Sequence, residues 1–131
     1  GGDGEQRLLL PWAVQIADQL CAALRAAGCG VIEVCAAGSI RRGAETVKDI
    51  DIVASAGDPA RVAAALAGLE LIDAQTASAP GEHAARAMTH AGIPVDLRVV
   101  TPDRFGNLLQ HFTGSKPGST VLVVGSVRAA S

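Results

Sequence analysis

The sequence predicts an α/β (α+β) domain: a mixed β-sheet with helices packed on one face. Three observations lead there. Ala13, Ile16, Ala17, Leu20, Ala23, Leu24 and Ala27 recur at helical spacing. Two runs, Asp49 to Ala54 and Ile93 to Val100, read as strands. Helix-start signals, Asp58-Pro59 and Thr101-Pro102, follow each of those runs. With 131 residues the chain has room for one compact domain, or is a piece of a larger one.

Residues 1–6 read as a disordered start or an added tag, because they are glycine-rich and polar. Pro11 suits a first helical turn, and Gly28 can end that helix. Val31 to Ala37 reads as a strand, followed by a turn at Gly38-Ser39 and one short helical turn. Asp49 to Ala54 is the second strand. Asp58 as N-cap and Pro59 at the first position open a helix whose buried face is Val62, Ala65, Leu66 and Leu69. Leu71 to Ala77 and His83 to Thr89 are weaker strands, joined by a turn at Pro80-Gly81. Ile93 to Val100 is the next strand, and a helix runs from Thr101-Pro102 to about His111. After Gly114 the pattern breaks down. An apolar stretch, Val121 to Val124, can still add an edge strand. No internal repeat is present.

Composition narrows the function classes. Hydrophobic residues make up 49% and aromatics 2%, so the core must be built from small aliphatic side chains. The formal net charge of −2 argues against strong non-specific nucleic-acid affinity over the whole surface. No apolar run reaches the ~18 residues of a membrane span. Pro11 cuts Leu8-Leu9-Leu10 short, and no signal peptide is expected. Cys21, Cys29 and Cys35 lack CxxC spacing and read as buried, reduced thiols. His83, His90 and His111 show no ligand spacing with them.

The chemistry concentrates in two places. Asp49 and Asp51 alternate with Ile50 and Ile52, so in a strand both carboxylates share one face. Their roots would lie roughly 6–7 Å apart at ~3.3 Å per residue. Without a cation they repel, and one tends to keep its proton. A divalent ion removes that conflict. Asp96 and Arg98 share one face of the later strand, opposite Val95, Leu97 and Val99. If the two strands are neighbours, Asp96 joins the pair. Upstream, Gly38 permits close approach of a ligand, and Ser39 offers a hydroxyl and a backbone N–H at the start of a helical turn. Arg41 and Arg42 are adjacent, so one faces a phosphate while the other pairs elsewhere, Glu45 being one partner. Together these features suit a metal-bound nucleoside triphosphate.

The run Gly38-Ser39-Ile40-Arg41-Arg42-Gly43-Ala44-Glu45-Thr46-Val47-Lys48-Asp49-Ile50-Asp51-Ile52-Val53 resembles the catalytic signature of the family X DNA polymerases, in the polymerase β-like nucleotidyltransferase superfamily. Val95-Asp96-Leu97-Arg98 resembles the strand that carries that family's third carboxylate, and Phe112-Thr113-Gly114-Ser115 its junction between palm and thumb. The resemblance covers roughly residues 7–116 and is nearer to the bacterial branch. It implies a palm domain over residues 7–114, with 115–131 as a truncated thumb junction and tail. It implies that Asp49 and Asp51 hold two Mg²⁺ ions (Mn²⁺ in their place), with Asp96 on the catalytic ion, taking or relaying the proton of a primer 3′-hydroxyl. Ser39 and Arg42, with Gly38, would meet the triphosphate; Phe112 and Gly114 would lie against sugar and base. The implied partners are dNTP and primer-template or gapped DNA. The setting would be repair in a bacterial cytoplasm, at the nucleoid.

The chain departs from the repair-polymerase pattern at several positions. His111 stands for a tyrosine, Val47-Lys48 for Ser-Gly, Pro94 for an arginine near the third carboxylate, Ala84 for a lysine, and Ser119 for the asparagine that reads the base edge. Without thumb and helix-hairpin-helix domains to align primer and nucleotide, the isolated chain is expected to be a poor polymerase or an inactive one. Two other readings stay open: a stand-alone minimal nucleotidyltransferase acting on a small molecule, protein or RNA end, and a non-catalytic metal- or nucleotide-binding module.

Overall fold

Strands β2 (Val31–Arg41) and β3 (Thr46–Ala56) are the two longest described strands of a mixed sheet. The computed structural model describes residues 8–41, 46–113 and 119–128, with side chains described over 12–37 and 49–110. The remaining elements are β1 (Leu8–Leu9), α1 (Leu10–Ala26), α2 (Pro59–Ala65), β4 (Ile72–Asp73), β5 (Ala84–Thr89), β6 (Pro94–Val100), α3 (Pro102–Thr113) and β7 (Ser119–Arg128). Sheet order is β4-β5-β6-β3-β2-β7, and β1 also pairs with β3. The β3–β6 pair is parallel; β1–β3, β2–β3, β2–β7, β4–β5 and β5–β6 are antiparallel. The mixed sheet with helices against it is the architecture the sequence predicts.

Helix α1 forms where apolar residues recur on one stripe. Ala13, Ala17, Leu20, Cys21 and Leu24 are buried, with Ile16 and Ala23 packed beside them. Arg25 in its last turn suits the negative helix end. The helix ends at Gly28, whose φ of 69° lies in the left-handed region that a side chain would strain. Pro59 opens α2 as expected, but the Asp58 side chain makes no capping bond. Val62 and Ala63 are its buried residues, and Leu66 is buried in the short 3₁₀ segment that follows.

One apolar core lies between the sheet and α1 with α2. It takes Val34 and Ala36 from β2, Ile50, Ile52 and Ala54 from β3, and Val95, Leu97 and Val99 from β6. Here the one-sided expectation needs refining. Helix α3 packs on the opposite face, where Phe105 meets Cys35 and Val53, with Val100, Leu108 and Leu109 beside them. Cys35 and Val53 sit one position out of phase with the core-facing residues, and alternation sends them to the other side. The three cysteines are free and buried, as expected. Among the described residues no helix is long and apolar enough to cross a membrane.

Three other local expectations change. The predicted turn at Gly38-Ser39 does not form. β2 continues as strand through Arg41, because β7 lies along it from Arg41↔Ser119 to Glu33↔Arg128. The run from Leu71 to Ala77 yields only two strand residues. Asp73 then accepts a bond from Gln75 N at 3.1 Å, and Thr76 Oγ1 donates to Asp73 O at 2.6 Å, which turns the chain into a short 3₁₀ segment. The region after Gly114, read as patternless, supplies β7, in which the apolar Val121–Val124 stretch does form an edge strand.

Candidate active site

Two carboxylates meet in one row across the sheet. In the parallel β3–β6 pair, Asp51 stands opposite Asp96. The row continues to Ala37 on β2, opposite Asp51, and to Arg86 on β5, opposite Asp96. Neighbouring strands lie about 4.8 Å apart, so the two aspartates have adjacent roots on one face. Asp49 is two residues back on that face. The residues between them fix this orientation. Ile50, Ile52, Val95 and Leu97 are each only 1% exposed on the opposite side, and a one-residue slip of either strand would turn them out to solvent.

The Gly38-Ser39 run borders this row. Gly38 stands opposite Ile50, the residue between the two β3 aspartates, and the β2–β3 register shifts between Gly38 and Ile40. The helical turn expected to present the Ser39 N–H to an anion is replaced by strand. Of the other sequence-predicted residues, the side chains of Ser39 and Phe112 lie outside the described ones, although both backbones are placed, in β2 and α3. Arg42 and Gly114 lie outside the described residues altogether.

The electrostatics of the acid face are uneven. Asp49 Oδ1 is buried with no hydrogen-bond partner in the structure, a costly state for a carboxylate oxygen and one that a cation would relieve. Asp96 is engaged: its Oδ1 lies 2.6 Å from Arg86 Nε, in a pair whose side chains are 76% (Arg86) and 41% (Asp96) exposed. Among the described residues no three His, Cys, Asp or Glu side chains are gathered as a ready metal cage. The backbone thus aligns the acidic strands, while the third carboxylate is held toward β5. The donor set is hard oxygen only, which fits Mg²⁺ or Mn²⁺.

Arg86 is the residue that reading the sequence missed. A signal for it existed. The tight turn through Gly92, with φ of 84°, links β5 to β6 as a hairpin. Counting outward from it, Met88 meets Pro94, Ala87 meets Val95, and Arg86 meets Asp96.

No family model matches the chain. Over 86 residues, 66% of its length, the chain is 38% identical to a curated protein of Bacillus subtilis (strain 168), the "DNA polymerase/3'-5' exonuclease PolX". The chain spans 15% of the length of that relative.

Proposed function

Starting from the chain's distant homology to a family X DNA polymerase, we propose that it is the palm of a polymerase of that kind, a nucleotidyltransferase domain that adds a nucleotide from dNTP to a DNA 3′-hydroxyl. The observation that carries the proposal is the Asp51–Asp96 register pair, with Asp49 on the same face and one of its oxygens buried without a partner. Homology to such a polymerase implies divalent metal ions in general. In this reading Asp49 and Asp51 would hold two ions and Asp96 the catalytic one of them. When bound, the ions would stabilise the attacking and leaving oxygens of an in-line displacement. Asp96 would also take or relay the proton of the attacking hydroxyl. Ser39 and Arg42, beside Gly38, would bind the triphosphate, and Phe112 and Gly114 would pack on the sugar and base. Gapped or primer-template DNA, a role in repair and a place in the bacterial cytoplasm belong to the same proposal.

The test is single-nucleotide extension of a gapped duplex, a primer-template and a single-strand end. It uses this chain and a longer chain that carries flanking domains, each as wild type, Asp51→Ala and Asp96→Asn. The expected result is metal-dependent extension of the gapped duplex by the longer chain, lost in both variants. Extension that survives Asp51→Ala, or absence of extension from both wild types, overturns the proposal.

A further inference from the structure

We propose that Arg86 is the resident counter-cation of the acid row. It holds Asp96 toward β5 and must be displaced before that carboxylate can ligate a divalent ion, so metal binding and release of Arg86 are coupled. This inference rests on the metal-binding reading of the site and adds a residue to it.

Asp96 stands in the row between Asp51 on one side and Arg86 on the other. An anion flanks it on β3 and a cation on β5. The Asp96 carboxylate is held toward β5 by the 2.6 Å contact between its Oδ1 and Arg86 Nε. Among the described residues no three-ligand group is gathered, although the strand register brings Asp51 and Asp96 side by side. The Arg86 side chain is 76% exposed, so the pair sits in solvent. Exposed pairs of this kind are weak and screened. A doubly charged ion with Asp49 and Asp51 as further ligands has the stronger claim on Asp96. Arg86 is therefore a positioning residue that opposes metal binding. It touches neither metal nor substrate in this role. Exposure also means that changing it leaves the core intact.

The experiment measures Mn²⁺ binding to the full chain by calorimetry. It compares wild type, Arg86→Ala, Arg86→Lys, Asp51→Ala, Asp96→Asn and the double variant Arg86→Ala/Asp96→Asn. Arg86→Ala should bind Mn²⁺ roughly fivefold more tightly, the upper end of what an exposed ion pair contributes. Arg86→Lys should fall between, because it keeps the charge but loses the Nε bond. In the Asp96→Asn background, Arg86→Ala should change nothing. As an independent readout, the Arg86 Nε–H resonance should move on adding Mg²⁺ to wild type, toward its position in metal-free Asp96→Asn. Asp51-dependent Mn²⁺ binding that Arg86→Ala leaves unchanged or weakens overturns the role of Arg86 alone. So does an equal gain in both backgrounds, or an Arg86 resonance that stays fixed as the metal binds. Wild-type binding that Asp51→Ala does not remove overturns the metal reading, and the role of Arg86 with it.

Discussion

Asp51 and Asp96 are direct partners across the parallel β3–β6 pair, so two acidic side chains leave the same face of adjacent strands at the same level. In a sheet, like charges at paired positions destabilise. Arg86 offsets part of that on the Asp96 side.

Asp49, two residues before Asp51 on the same face, carries a buried oxygen without a partner. Asp49→Asn removes its charge while keeping its shape. In EDTA the variant should be more stable than wild type by about 1 kcal/mol, the extra cost that charge adds to an unmet buried polar atom. Urea midpoints measure this. Saturating Mg²⁺ should narrow or reverse the difference, because the cation restores the carboxylate's advantage. A variant that is less stable than wild type in EDTA would show that Asp49 holds the fold together by another contact.

Triphosphate recognition should depend on Arg42 more than on Arg41. In the proposed reading Arg42→Ala should weaken Mg²⁺-dependent binding of a nucleoside triphosphate by roughly 1.5–3 kcal/mol, the worth of a hydrogen bond to a charged group. Calorimetry on both single variants measures it. A larger loss from Arg41→Ala would reverse the assignment of the two arginines.

The strand that carries Asp96 depends on its hidden side. Leu97 is 1% exposed, opposite Ile52 on β3 and Ala85 on β5. Leu97→Ala should cost about 2–5 kcal/mol by urea denaturation. Arg98, next in the strand and exposed, should tolerate alanine within about 0.5 kcal/mol. Similar losses from the two would mean that the faces of β6 are assigned the wrong way round.

Stability should fall in alkali because of Cys21. Its thiol is pushed up from an ordinary 9.0 to about 12, first by burial and then by the neighbouring Cys35 and Asp18. Burial pushes Cys35 up as well. The unfolded thiol ionises near 9 and the folded one does not until about 12. The stabilisation is therefore complete below the lower value and is lost as pH rises from 9 toward 12. Urea midpoints across that window should decline, and Cys21→Ala should decline less steeply. Equal slopes would remove Cys21 as the cause.

Much of this fold was legible in local pattern. Alternation around Asp49, Asp51 and Asp96 assigned each carboxylate to the face opposite the core, and Pro59 and Gly28 marked helix ends. The facts that escaped are non-local. Phe105, Leu108 and Leu109 show an apolar stripe on α3, but nothing in their spacing says which face of the sheet receives it. Gly38-Ser39 has turn composition, but pairing of both residues with β7, about eighty residues further along the chain, and of Gly38 with Ile50 on β3 keeps it extended. Arg86 gained its meaning when the hairpin register set it opposite Asp96.

The motif-bearing strand is clamped on both flanks, by β3 on one and β7 on the other. A strand inside a sheet has its main-chain donors committed to two ladders, with few left to offer an anion. In the proposed reading, phosphate recognition there would fall to side chains, the Ser39 hydroxyl and a guanidinium. Near the acid row, Ser39 is an exception in the main chain. It pairs with Val121 on β7 and has no register partner on β3, where the ladder skips from Gly38 to Ile40. That break in the β2–β3 ladder, beside the acid row, leaves the Ser39 main chain without a register partner on its β3 side.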